Sequence, residues 1–144
     1  MALHGTYDQG NIFAKILRGE MPAIKVFEDD VAVAFMDIFP QAAGHTLVIP
    51  KDVTARNLLD MPADRLRPYM ERVQTVAKAI ETGLKPDGII VTQFNGAPAG
   101  QTVFHLHFHI IPCGEGTVLA PHGSGGPRPM EELEPIAEQI RAAF

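Results

Sequence analysis

Phe104-His105-Leu106-His107-Phe108-His109-Ile110-Ile111 is the stretch on which the reading of this chain turns. Imidazole and large apolar side chains alternate along it. Successive side chains of a β-strand point to opposite faces. The alternation therefore predicts a strand over residues 104–111. Phe104, Leu106, Phe108 and Ile110 face a core, and His105, His107 and His109 share the other side. Same-face Cα atoms are then about 6.6–6.8 Å apart. Three imidazoles in a row form a compact site of proton donors and acceptors that titrate near neutral pH. Such a row can bind an anion, attack it and pass protons. It can equally ligate zinc through three imidazoles.

Just upstream, residues 95–103 form a small-residue loop. Gly96 and Gly100 let its backbone approach a ligand closely. Its N–H groups, with Asn95, Gln101 and Thr102, could hold phosphate oxygens. Further upstream, β-branched residues over 88–94 predict a fourth strand. A long apolar stripe (Leu66, Tyr69, Met70, Val73, Val76, Ala77, Ile80 and Leu84) predicts a helix over 61–84, capped by Asp60. Pro68 is awkward inside it and suggests a restart there. Residues 24–27 and 31–36 read as a hairpin around the Glu28-Asp29-Asp30 turn. Residues 45–49 make a third strand, stopped by Pro50. Asn11 is a plausible cap for a first helix running to Glu20.

Downstream, residues 113–129 hold five glycines and three prolines among 17 residues, so they predict an extended or mobile arm. Met130, Leu133, Ile136, Ala137, Ile140 and Phe144 then suggest a C-terminal helix that Pro135 weakens. The fold class is α+β: a five-stranded antiparallel sheet with a long helix packed on it. The 144 residues fit one domain, with a core over about 11–112 and an arm and helix over 113–144. His4 and His122 fall in loop-like segments and read as surface. Cys113 reads as structural.

Twelve basic residues against 17 acidic ones leave a net charge of −5. Polymeric nucleic acid is not an expected partner, because such binding rests on a basic surface. A single nucleotide needs only local positive potential. Residues 1–10 carry neither the apolar core nor the basic run of a signal peptide, and no membrane span is expected. Cys113 has no second cysteine to pair with, which suits a reducing compartment. The expected location is the cytoplasm.

The run His-apolar-His-apolar-His-apolar-apolar at 105–111 resembles the signature of the histidine-triad (HIT) family. Asn95, Gly100-Gln101-Thr102-Val103, Ile12-Phe13-Ala14-Lys15-Ile16, Phe35-Met36-Asp37-Ile38 and Gly44-His45-Thr46-Leu47-Val48-Ile49-Pro50 are similar to that family too. They run in order from about residue 11 to 112, nearest to the Hint-type nucleotide hydrolases. The resemblance implies that His107 is a nucleophile forming a covalent nucleotidyl intermediate, its other ring nitrogen held by a backbone carbonyl within the motif. It implies that His109 contacts the phosphate and assists the leaving group, and that His105 and His45 belong to a supporting network. Asn95, Gly100, Gln101 and Thr102 would line the α-phosphate pocket. Asp37 would accept the ribose hydroxyls, and Ile12, Phe13, Phe35 and Ile38 would enclose the base.

The implied activity is hydrolysis of purine nucleoside phosphoramidates or related nucleotides, with no cofactor or metal required. A homodimer with one continuous sheet is also implied. Some relatives carry a structural zinc held by a Cys-x-x-Cys pair and histidines. Asn11 and Ala14 stand at the cysteine positions here, and Lys51-Asp52-Val53 offers no histidine after Ile49-Pro50, so none is expected. The transferase branch has glutamine where this chain has His109, which favours hydrolysis. Three alternatives stay open: a dinucleoside polyphosphate hydrolase, a metal-dependent enzyme using the histidine row as ligands, and a nucleotide-binding module with little catalysis.

Overall fold

The computed structural model describes residues 3–144; Met1 and Ala2 of the 1–10 stretch lie outside the described residues. The chain runs α1 (Ile12–Leu17), β1 (Lys25–Glu28), β2 (Ala32–Met36), β3 (Thr46–Pro50), α2 (Ala63–Leu84), β4 (Gly88–Thr92), β5 (Phe108–Cys113) and α3 (Met130–Arg141). The strands form one sheet in the order β1-β2-β3-β5-β4. Every neighbouring pair is antiparallel.

β2 and β3 are buried throughout because both sheet faces are covered. Their period-2 pattern sorts the side chains. Ala32, Ala34, Met36 and Val48 join a core with Tyr69, Val73, Val76 and Ile80 of α2 and Leu133, Ala137 and Ile140 of α3. Val33, Phe35, Leu47 and Ile49 face the other way, against Phe13 and Ile16 of α1. The buried Tyr69 hydroxyl donates to the Val48 carbonyl at 2.7 Å and pins α2 to β3.

Local chemistry explains the joints. Asn11 Oδ1 accepts Ala14 N–H at 2.9 Å and caps α1 as predicted. Asp29 Oδ1 accepts the N–H groups of Val31 and Ala32, closing the β1–β2 turn. Asp60 does not cap α2. It caps the preceding 3-10 turn (Leu58–Asp60) reciprocally with Asn57, and α2 starts after Pro62 without a side-chain cap. Nor does α2 restart at Pro68. It runs unbroken through it, at the cost of the one helical N–H that a proline removes. Met70 lies on the outer flank of the helix, more than a third exposed.

The decisive stretch is only half a strand. β5 begins at Phe108 rather than 104 and continues through Pro112 to Cys113. β3 pairs with β5 from Thr46↔Ile110 to Val48↔Phe108. In that register Pro50 would oppose Leu106, and proline has no N–H to continue the ladder. Residues 104–107 turn away instead, and Leu106 N–H bonds the Ala55 carbonyl at 2.9 Å. Leu106 and Ile110 still reach the α2 core, with Phe108 packed against it. Phe104 does not; its ring lies outside, under the Arg56 guanidinium at 4.8 Å.

Candidate active site

The register puts Phe35, Leu47, His109 and Thr92 in one cross-strand row. His109 therefore shares the α1 face of the sheet with Phe35 and Leu47. His107, one residue before the strand, stands beside it with ring centroids 5.0 Å apart. Phe13 of α1 meets the His107 ring edge-on at 4.9 Å and the Phe35 ring at 5.4 Å. Between α1, this row and the β2–β3 loop lies a cavity of about 470 Å³. Ile12, Phe13, Phe35 and Ile38 form its apolar wall, and Asp37, Thr102, His107 and His109 supply the polar groups. A larger hollow of about 610 Å³ between the α2–β4 turn and residues 112–118 is lined by none of the histidines.

The hydrogen bonds fix the protons on four imidazoles. His107 Nδ1 lies 2.8 Å from the His105 carbonyl, which can only accept, so Nδ1 carries the proton. Neutral His107 then has a bare lone pair at Nε2. His105 Nε2 donates to the Pro50 carbonyl at 3.0 Å, leaving Nδ1 to accept the Tyr7 hydroxyl at 2.5 Å. Gln41 N–H donates to His45 Nδ1 at 3.0 Å, so neutral His45 is protonated at Nε2. That Nε2–H faces His109 Nδ1 at 2.9 Å and Asp37 Oδ2 at 3.3 Å. His109 thus accepts at Nδ1 and keeps its own proton on Nε2. The outcome is one bare nitrogen beside one N–H donor.

Burial keeps the four rings neutral. Desolvation is the largest influence on each and pushes all four below the ordinary histidine value, His105 to about 4. For His107 the hydrogen bond to the His105 carbonyl opposes that shift; for His45 and His109 the Asp37 carboxylate does. A neutral imidazole is the form in which a histidine can attack.

Asp37, His45 and His109 also hold potential ligand atoms within 4.8 Å of one another. A metal-ligating histidine normally donates its second N–H to an acceptor. The second nitrogen of His45 instead faces a donor, the Gln41 N–H. A neutral His45 cannot ligate through Nε2 without losing that bond.

The structure divides the expected phosphate loop. Thr102 reaches the cavity, together with Val103, to which the sequence reading gave no site role. Asn95, Gly100 and Gln101 do not line it. Asn95 Oδ1 accepts Leu58 N–H and the Gln93 amide. Gln101 accepts Gly96 N–H and donates to the carbonyls of Arg56 and Val103. Gly100 closes the short turn Ala97–Ala99 at φ 111°. These three residues shape the loop one layer behind the cavity. The Asn95 side-chain carbonyl oxygen and the Gln101 amide are engaged by Leu58, Gln93, Gly96, Arg56 and Val103, which their residue types alone could not reveal. His45 and His105 likewise sit behind the cavity, where His45 Nε2 bonds His109 and the His105 carbonyl bonds His107.

His122, which the sequence reading left as surface, is exposed but also meets this site. Its Nε2 lies 2.9 Å from Asp37 Oδ2, and its ring lines the cavity with Gly123 and Met130. No periodicity marks a histidine in a glycine-rich arm, and its partner is 85 residues away in sequence.

Comparison with known proteins agrees with this geometry. The HIT domain profile matches residues 18–116. A Hit-like protein from Bartonella henselae, described as involved in cell-cycle regulation and crystallised with an unknown ligand, is 52% identical. It superimposes with a TM-score of 0.89 over 96% of this chain and 100% of that one. Protein hit of Bacillus subtilis strain 168 is 43% identical over 101 residues, covering 70% of this chain and 69% of that protein. The adenosine 5′-monophosphoramidase HNT1 of Saccharomyces cerevisiae is 42% identical over 112 residues, covering 78% and 68%. With a profile match over most of its length and relatives at these identities, the chain belongs to the HIT domain family and is one of its hydrolases.

Proposed function

We propose that the chain hydrolyses the α-phosphate bond of purine nucleoside phosphoramidates or closely related nucleotides, through a covalent intermediate on His107. One observation carries the reading: the His105 carbonyl holds the His107 proton on Nδ1 at 2.8 Å, so a bare Nε2 is left on a residue lining the cavity. The base lies against Ile12, Phe13, Phe35 and Ile38, the sugar hydroxyls meet Asp37, and the α-phosphate lies near Thr102, His107 and His109.

In the first step His107 Nε2 attacks phosphorus, and a P–N bond to the amine breaks. His109 Nε2–H donates a hydrogen bond to the phosphoryl group, and the amine leaves with a proton from solvent. The imidazolium so formed is stabilised at Nδ1–H by the His105 carbonyl. In the second step water attacks phosphorus, the Nε2–P bond breaks with its electron pair returning to the ring, and the proton lost by water passes to solvent. Two modest substitutions replace one difficult one. No step calls for a metal or other cofactor.

The active form we propose is a homodimer. Its support is β4, an edge strand that among the described residues pairs with β5 alone, and whose Ile90 and Val91 are 39% and 46% exposed. No helix of the described residues is long and apolar enough to cross a membrane. We place the protein in the cytoplasm on its lone Cys113.

The test is rapid quenching with adenosine 5′-phosphoramidate, followed by peptide mass spectrometry. A nucleotidyl group on His107 is expected. His107→Ala should lose the adduct and lower turnover by roughly 10⁴-fold or more. Turnover should survive exhaustive chelation. An adduct elsewhere, full activity of the variant, or inactivation by chelator would overturn the reading. Faster turnover of a diadenosine polyphosphate would reassign the substrate.

A further inference from the structure

We infer that His122, carried on the glycine-rich arm, is a positioning residue of the sugar subsite that sets selectivity for a ribose diol. The inference rests on the proposed role of Asp37 as acceptor for the sugar hydroxyls.

The arm is anchored on both sides of His122 to the loop that carries Asp37. Gln41 and Ala120 exchange two hydrogen bonds, Gln41 Nε2 to the Ala120 carbonyl at 2.9 Å and Ala120 N–H to the Gln41 carbonyl at 3.4 Å. Arg128 N–H donates to the Ile38 carbonyl at 2.8 Å. The segment between these anchors brings the His122 ring over the loop, where it also meets Phe39 with centroids 6.2 Å apart. Glycines at 123, 125 and 126 allow the tight return, two of them at positive φ.

What His122 does there follows from the carboxylate geometry. Asp37 is 4% exposed. Its Oδ1 accepts Phe39 N–H at 2.8 Å, and its Oδ2 faces His122 Nε2 at 2.9 Å. One fixed donor on each oxygen stops rotation of the carboxylate about Cβ–Cγ. An oxygen of an ionised carboxylate has two acceptor directions. His122 takes one of them; the His45 Nε2–H, 3.3 Å away, is directed to His109 Nδ1 at 2.9 Å, so the other remains for a hydroxyl on the cavity side. A preoriented acceptor binds its partner without first losing rotational freedom. Without His122, only the Phe39 N–H and the more distant His45 Nε2, at 3.3 Å, would steady the group. The arm thereby supplies a specificity element to a sheet-borne site.

The test compares adenosine 5′-phosphoramidate with its 2′,3′-dideoxy analogue on the full-length chain. His122→Ala should lower kcat/KM for the ribonucleotide about tenfold, chiefly through KM, the scale of one hydrogen bond to a charged group. The dideoxy substrate, with no diol, should change less than about twofold by the same reasoning. His122→Gln, whose amide can reach the position of Nε2, should restore most of the discrimination. Equal losses on both substrates would mean that His122 merely orders the arm, and would overturn the inference, as would no loss on either. Asp37→Asn separates the two layers. If it leaves the ribose-to-dideoxy ratio unchanged, the reading of Asp37 itself fails. If it collapses the ratio and His122→Ala does not, only the inference about His122 fails.

Discussion

Gly44→Ala is the sharpest test of how the fold places His45. Gly44 sits at φ +92°, a region that residues with a Cβ avoid. A Cβ built there falls 2.4 Å from Leu84 Cδ1 and 3.0 Å from Pro112 Cγ. Two costs follow, and they can be separated. Backbone strain at such a φ is on the order of 1–3 kcal/mol. Overpacking against Leu84 and Pro112 adds roughly 1–3 kcal/mol, toward the low end if the flexible Leu84 tip swings aside. The sum is roughly 2–6 kcal/mol. At about 3 °C per kcal/mol for a chain of this size, Tm should fall by roughly 6–18 °C. Differential scanning calorimetry of the single variant, of Leu84→Ala and of the double variant measures both parts. Leu84→Ala removes the nearest clash but not the strain, so the double variant should recover about 1–2 kcal/mol relative to additivity. A single variant that melts within about 2 °C of the parent would refute the reasoning. So would strict additivity, because the contact with Leu84 would then carry no energy.

Tyr69→Phe removes the buried hydroxyl that holds α2 to the Val48 carbonyl. Urea unfolding should show a loss of about 1 kcal/mol, and no loss would mean that the bond is not made in solution. Stability should also depend on pH through His105. Its value is lowered from 6.5 to about 4 in the folded chain, chiefly by burial. Below pH 6.5 the unfolded chain takes up a proton that the folded chain refuses. The contribution of neutral His105 is therefore complete above pH 6.5 and lost as pH falls toward 4. It amounts to about 3 kcal/mol at most. The stability difference between parent and His105→Gln, measured by denaturation, should narrow across that window; a constant difference would contradict the assignment. Finally, Val91→Lys on the exposed β4 edge should give monomers by light scattering if β4 joins two copies, and an unchanged mass would place the interface elsewhere.

How far the sequence could be read depended on the range of the deciding interactions. Local and periodic signals served well. The Asn11 cap, the β1–β2 turn at Asp29, the α2 stripe and the apolar runs of β2 and β3 each depend on neighbours a few residues away. The alternating histidines led to a cavity that His107 and His109 line, together with Ile12, Phe13, Phe35 and Ile38. The differences between reading and structure share another cause. Residues 104–107 leave the sheet because of Pro50, a residue on another strand that cannot donate to the ladder. Asn95 and Gln101 have side chains suited to phosphate, yet they meet Leu58, Gly96 and Arg56 instead. His122 carries no local signal, and its role appears only once the arm folds back across the Asp37 loop.

The claim beneath the whole account is the placement of a single proton on His107. Nitrogen-15 NMR of the imidazole side chains at pH 7 measures it directly. The account predicts that His107 Nδ1 is protonated while Nε2 shows the shift of a bare, pyridine-like nitrogen. A proton found on Nε2, or a fully charged ring, would contradict it, since no lone pair would then be available to attack phosphorus.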